Sequence, residues 1–199
     1  MSEGALLETI ENVVKTTPYT IYQAGLLAWL VTGDSRYGMF TLLTVVFGEM
    51  FNHGEKYISK LIMKPSSVAG QRPSNCPPGK DTCIGCGIYP SVGAKKNGWG
   101  MPSGHAQITS FAAMYWTLFI WLRYDRDEKK KKGSGNFMHT IVSMGVIWAL
   151  VTAVCAQRVV SKCHSILQVI IGAIIGSLLA FVGYYISTEV YSDMPKLFN

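Results

Sequence analysis

Charge is scarce in this sequence. Asp, Glu, Lys and Arg together make up 15% of the 199 residues, 49% are apolar, and the mean hydropathy is +0.23. So little charge argues against a typical soluble domain and favours a bundle of membrane helices. A basic start followed by an apolar run is also missing. Residues 1–15 are polar and carry Glu3, Glu8 and Glu11, so the expectation is that no cleavable signal is present and that the first helix directs its own insertion. Residues 5–15 read as a short amphipathic helix lying on the membrane surface. No aromatic residues interleave with basic ones on a soluble face, so the net charge of +6 points to anionic headgroups rather than nucleic acid.

What is present is a set of apolar runs. A hydrocarbon core about 30 Å thick calls for ~20 apolar residues per helix, and Ile166 to Ile186 meets that without a charge. Met138 to Ala156 is nearly as good, and Pro102 to Leu122 is apolar beyond its polar first turn. Ile21 to Thr32 and Tyr37 to Phe51 are shorter, the second carries Glu49, and the turn Gly33-Asp34-Ser35-Arg36 joins them. The expected fold is therefore all-α: a single domain, residues 1–199, built as a polytopic transmembrane bundle of about five spans. A soluble hydrophobic core is the weaker alternative, since three runs approach the spanning length in so short a chain.

The connection 123–136 holds six basic residues in ten positions, including the tract Lys129 to Lys132, and ends in Gly133-Ser134-Gly135. The positive-inside tendency makes it cytoplasmic. The loop 65–100 and the short connection between the last two spans then share the non-cytoplasmic side, although that side also collects Lys56, Lys60, Lys64, Lys80, Lys95 and Lys96. Cys76, Cys83, Cys86 and Cys163 would all lie on this oxidising face, where one or two disulfides can tie down the long loop. Cys83-x-x-Cys86 has competing readings as a zinc knuckle or a redox motif. No second Cys or His pair stands at zinc spacing and no strand-rich fold surrounds it, which favours structural disulfides. Cys155 falls within a span and reads as a small packed residue.

Three polar clusters mark the non-cytoplasmic ends of these helices: Lys64 with Arg72-Pro73, Pro102-Ser103-Gly104-His105, and Arg158 with His164. Singly, each has an ordinary explanation, because Lys and Arg snorkel at helix ends and interfacial histidines are often only hydrogen bonded. Together they supply what phosphoryl transfer needs. Lys64, Arg72 and Arg158 can neutralise phosphate oxygens, the arginines with a planar fork. Pro102 suits the first turn of a helix, from which the backbone N–H groups of Ser103, Gly104 and His105 would point at an anion. A neutral His164 can attack phosphorus while a protonated His105 serves the leaving oxygen and later takes a proton from water. No carboxylate cluster or metal-ligand set is visible, so no metal or other cofactor is expected and the cations carry the charge neutralisation.

These residues resemble the type 2 phosphatidic acid phosphatase superfamily, whose motifs are Lys-x6-Arg-Pro, Pro-Ser-Gly-His and Ser-Arg-x5-His-x3-Asp. The second is intact at Pro102 to His105. The third appears as Arg158 and His164, with Gln157 in place of Ser and Gln168 in place of Asp. The first carries one extra residue between Lys64 and Arg72. The motif-bearing stretch runs from about 64 to 168. The strings Gly100-Met101-Pro102-Ser103-x-His105-x-Gln107 and His164-Ser165-x-x-Gln168-Val169 are similar to those of the dolichyl diphosphatase branch, where Gln stands at this position.

The resemblance implies His164 as nucleophile, His105 as acid and base, Lys64, Arg72, Ser103, Gly104 and Arg158 as phosphate ligands, and Gln168 as the residue that orients the nucleophile. It implies a lipid phosphate or polyprenyl diphosphate substrate, with phosphatidate as runner-up, hydrolysed in the endoplasmic reticulum or another endomembrane at a site facing the lumen or exterior. The family usually has six spans, against about five here. A catalytically silent lipid-phosphate-binding protein is the competing class, and a thiol-disulfide role for Cys83 and Cys86 a third.

Overall fold

The computed structural model describes residues 3–63, 69–73, 82–83, 86, 94–95, 98–129 and 137–197. Its elements are helices apart from one small pair of strands. Helix α1 (Glu3–Thr32) ends where Gly33 takes a positive φ of 69°, a conformation glycine adopts without penalty. Asp34 then caps α2 (Ser35–Leu43) by accepting the Arg36 N–H at 3.0 Å, the standard way of satisfying a free helix-start donor. Helix α2 continues through a π-helical turn (Thr44–Met50) into α3 (Phe51–Ile62). The two-residue strands β1 (Thr82–Cys83) and β2 (Ala94–Lys95) pair antiparallel in the long connection, with a single bridge between Gln71 and Trp99 beside them. Helices α4 (Gly104–Lys129), α5 (Phe137–Val160) and α6 (Ile166–Val190) complete the chain.

The all-α expectation holds. Helices α5 and α6 are long and apolar enough to cross a membrane, with mean hydropathy 1.8 and 2.4. Two boundaries differ from the sequence reading. The amphipathic segment 5–15 and the run 21–32 are one continuous helix with Pro18 inside it. Thr17 and Pro18 are buried, so tertiary packing offsets the hydrogen bond that proline removes. The run expected to end near Phe51 extends to Ile62. Its last three turns are amphipathic in the opposite sense to a soluble helix: Asn52 is buried and Lys56 and Ser59 half-buried, whereas Tyr57, Ile58, Leu61 and Ile62 are exposed. A scan for continuous apolar residues therefore stops too early.

The core joins α2, the π turn, α4 and α6 through Phe40, Phe47, Phe111, Tyr115 and Tyr184. Close approach of α6 to α4 depends on a glycine ladder. A Cβ on Gly172 would sit 2.5 Å from the Ser103 carbonyl oxygen, one on Gly176 would run into the Gln107 carbonyl, and one on Gly183 would meet the Phe111 ring at 2.9 Å. Small residues spaced in this way let helix backbones touch. At one end of the bundle Arg36 pairs with Asp193 at 2.9 Å, and Arg126 donates to the Asp193 carbonyl at 2.9 Å. The opposite end gathers the end of α3, the start of α4, the end of α5 and the start of α6.

A disulfide between Cys86 and Cys163, 77 residues apart, fastens the long connection to the α5–α6 corner. Cys86 is therefore not paired with Cys83, which displaces the Cys-x-x-Cys redox reading. Cys76 lies outside the described residues. Cys155 is a free, partly buried thiol within α5.

Candidate functional site

The corner between α5 and α6 is fixed by local hydrogen bonding. Lys162, at φ 52°, turns the chain, while the Cys163 N–H reaches back to the Arg158 carbonyl and the Lys162 N–H to that of Val159. These two bonds form a Schellman motif, which satisfies the orphan carbonyls of a helix end. Two residues later Ser165 caps α6. Its hydroxyl accepts the Gln168 N–H while the Gln168 side chain accepts the Ser165 N–H, a reciprocal capping box. His164 is held between the two caps, and its own N–H also reaches the Arg158 carbonyl at 3.1 Å.

The His164 ring is buried. Its Nδ1 lies 3.2 Å from Gln168 Oε1 and its Nε2 lies 3.3 Å from Arg72 Nη1. Guanidinium can only donate, and the amide oxygen can only accept. The arrangement therefore places the imidazole proton on Nδ1 and leaves a lone pair on Nε2. Burial pushes the His164 pKa well below the usual histidine range, and the positive charges of Arg72, Lys56 and His105 push it the same way. His164 is neutral at physiological pH, the form a nucleophile requires.

His105 stands at the start of α4 with its Nε2 3.2 Å from Nη1 of Arg158. Arg158 is wholly buried in the last turn of α5 and its Nε donates to Gln157 at 2.7 Å. Arg72 is placed by the bridge segment: its N–H donates to the Gly98 carbonyl, the Gly100 N–H returns to that of Gly70, and its guanidinium also donates to the Cys163 carbonyl at 3.2 Å. The two histidines are thus each faced by an arginine, from segments far apart in sequence.

Some expectations are corrected here. Pro102 is not in the first turn of α4, which begins at Gly104; it precedes the helix through a cis bond to Met101. The Ser103 N–H is not free for an anion, because it donates to the Gln168 carbonyl at 3.0 Å. The Ser103 hydroxyl is buried and has no hydrogen-bond partner among the described residues, so the side chain rather than the backbone is what Ser103 can offer. Lys64 lies outside the described residues.

Lys56 is the lysine that the structure brings to the site, and the sequence reading counted it only as one of several loop cations. Its Nζ is 3.7 Å from where a Cβ on Gly104 would stand. It shares a helix face with Asn52, one turn earlier. Asn52 is buried, donates to Gln107 Oε1 at 2.6 Å, and crowds Gly104 so closely that a Cβ there would be 2.9 Å from its Oδ1. Gln107 in turn donates to the Phe47 carbonyl of the π turn at 3.0 Å. π turns of this kind recur at functional sites. The available signal was the helical spacing of Asn52, Lys56 and Ser59 on one face, opposite Tyr57, Ile58, Leu61 and Ile62.

The corner thus brings together two imidazoles, two guanidiniums, an ammonium and a hydroxyl without a partner among the described residues, a set of groups able to donate to an oxyanion. A family model described as the PAP2 superfamily matches residues 37–191, and the chain belongs to that superfamily. Dolichyldiphosphatase 1 from Rhinolophus ferrumequinum is 32% identical over 112 residues, covering 56% of this chain and 45% of that protein. Dolichyldiphosphatase 1 from Homo sapiens is 31% identical over the same length and shares. The Arabidopsis thaliana protein named lipid phosphate phosphatase epsilon 1, chloroplastic, is 34% identical over 87 residues, covering 43% of this chain and 27% of that protein. The chain spans about half the length of the curated relatives it matches first. No solved structure matches it.

Proposed function

We propose that the protein is an integral membrane lipid phosphatase that hydrolyses a polyprenyl diphosphate of the dolichyl type. The observation that carries this reading is the pairing of two buried histidines with two arginines, His164 with Arg72 and His105 with Arg158. The family and the dolichyldiphosphatase relatives supply the substrate class.

In this reading the terminal phosphate displaces the guanidiniums from the imidazoles and takes their N–H donors for its oxygens, with Lys56 and the Ser103 hydroxyl completing the cradle. The Nε2 lone pair of His164 attacks phosphorus, and the bond to the bridging oxygen breaks. Before phosphate arrives, burial and then Arg158 hold the His105 pKa well below the usual histidine range, and the negative charge of the incoming phosphate raises it. His105, as imidazolium, then gives its proton to that oxygen, and lipid monophosphate leaves. Water then loses a proton to His105 and attacks the phosphohistidine, releasing inorganic phosphate and restoring both rings. Gln168 accepts a hydrogen bond from the Nδ1–H throughout, so the ring keeps one orientation.

The exposed apolar surfaces of α5 and α6 support membrane embedding; in this reading about five helices span the bilayer and the site lies at one membrane face, where a headgroup enters and its tail remains in lipid. The Cys86–Cys163 disulfide supports an oxidising, lumenal or exterior side, since such bonds are rare in the cytosol. The endoplasmic reticulum or another endomembrane fits both points.

The test is phosphate release by the purified protein in EDTA, comparing a polyprenyl diphosphate, phosphatidate and a soluble sugar phosphate, with His164→Ala alongside. Release from the diphosphate that disappears in the variant supports the proposal. Preference for phosphatidate replaces the substrate assignment, and no release from any of them leaves a phosphate-binding protein without turnover.

A further inference from the structure

Arg158 is anchored at both of its ends. Its carbonyl accepts the N–H groups of Cys163 and His164 at 3.0 and 3.1 Å. Its guanidinium, wholly buried, meets side chains of two helices: Nε donates to Gln157 Oε1 at 2.7 Å, and Nη1 lies 3.2 Å from His105 Nε2. The Gln157 amide is held in turn, its Nε2 donating to the Ser161 hydroxyl at 2.7 Å. A guanidinium can only donate, so the amide oxygen is the atom that must face it and the amide nitrogen is the one left for Ser161.

We propose that Gln157 is a positioning residue of the site: by accepting the Nε–H it fixes the plane of the Arg158 guanidinium and so presents Nη1 to the place where phosphate binds. The proposal rests on the phosphate-binding role given to Arg158 above. Gln157 and Gln168, the two departures from the family's third motif, then play parallel parts. Each is a neutral acceptor, one for an N–H of the phosphate-binding arginine and the other for the Nδ1–H of the nucleophile.

Covalent reach and charge both suit glutamine to this position. The serine usual in the family carries its oxygen on Cβ, two carbons nearer the backbone than the Gln157 oxygen. A carboxylate of the same length would reach Nε but would neutralise the guanidinium it holds, whereas an amide accepts the hydrogen bond and leaves the full positive charge to the phosphate. An arginine side chain has many rotamers, and fixing one before the anion arrives removes an ordering cost from binding. When phosphate displaces Nη1 from His105, the Nε bond to Gln157 persists, so the guanidinium keeps its plane through the exchange.

The test is Gln157→Met, which keeps the length of the side chain and removes the acceptor. Gln157 is only half-buried, so the variant is expected to fold, and its Tm is recorded. Two readouts are taken on the full chain in lipid nanodiscs: the dissociation constant of inorganic phosphate, from its effect on Tm, and steady-state kinetics with the polyprenyl diphosphate. Gln157→Met should weaken phosphate about tenfold, the scale of one hydrogen bond to a charged group, and raise KM by a similar factor. In an Arg158→Met background the same change should add less than about twofold, because its effect travels through the guanidinium. A phosphate affinity within about twofold of native in Gln157→Met, or an equal loss with and without Arg158, overturns the proposal. Native protein whose Tm does not respond to phosphate overturns it together with the phosphate-binding role of Arg158. Phosphate binding needs no turnover, so native protein that binds phosphate yet releases none from any lipid counts against the phosphatase reading alone.

Discussion

The side-chain amide of Gln168 joins the nucleophile's position to the loop that carries Arg72. Its oxygen lies 3.2 Å from His164 Nδ1 and 3.2 Å from the Ser165 N–H, while its nitrogen donates to the carbonyls of Ala69 and Gln71 at 2.9 and 2.8 Å. Both lone pairs and both N–H groups are used, and the residue is wholly buried. A carboxylate could serve His164 but would set its other oxygen against two carbonyl oxygens. Gln in place of the family's usual Asp is thus matched to this loop.

Gln168→Glu keeps the length of the side chain and removes both donors. Two partly buried carbonyls lose their partners and face a negative charge, so a stability loss of roughly 1 kcal/mol per unsatisfied group is expected. Thermal unfolding should show a lower Tm, and activity should fall with it. Gln168→Asp should do no better, because it also loses the donors and shortens the reach. A gain of activity in either variant would show that the amide impairs the site.

Lys56→Met should raise KM or lower kcat/KM by about 10- to 100-fold, the scale of one lost charge-assisted contact of ~1.5–3 kcal/mol. Lys64→Met, kinetically compared in the same preparation, should cost far less. The reverse order would return the phosphate-binding role to Lys64 and leave Lys56 as a neighbouring charge.

The depressed pKa of His164, caused first by burial and then by Arg72, Lys56 and His105, fixes the sign of two pH effects. The acid limb of kcat/KM that reports His164 should lie well below pH 6.5, the ordinary histidine value, and Lys56→Met should move it upward by removing a nearby positive charge. Native His164 binds a proton less readily than the unfolded chain. The unfolded state is therefore the more protonated one as pH falls below ~6.5, and this group's contribution to stability declines there. Rate profiles and denaturation measured from pH 4.5 to 8 would check both.

Gly176→Val tests the α4–α6 contact. A Cβ there meets the Gln107 backbone carbonyl, which cannot rotate aside, so the helices must separate. Overpacking of this kind costs about 1–3 kcal/mol. Because Gln107 also holds Asn52, activity should fall more than the loss of folded protein explains, while Gly145→Val, on α5 with nothing within 4 Å, should be close to neutral.

The amino-acid sequence alone determined the helical class and the two clearest apolar helices, because a ~20-residue uncharged run has few other ways to satisfy its backbone. It also determined the corner around His164. Ser165-x-x-Gln168 is a capping box written in four consecutive positions, and local hydrogen bonds of that kind need no distant partner. What tertiary structure decided is which polar groups meet. Lys56 is sixteen residues before Arg72 and forty-eight before Gly104, and only the amphipathic continuation of α3 beyond the π turn carries it to the start of α4. The Ser103 N–H looked free at a helix start until α6, admitted to close range by Gly172 and Gly176, placed the Gln168 carbonyl against it. Residues 5–15 read as a short surface helix, and burial of Thr17 and Pro18 in the bundle accompanies a single continuous α1. Local periodicity and capping are properties of neighbouring residues, whereas these pairings depend on how whole helices pack.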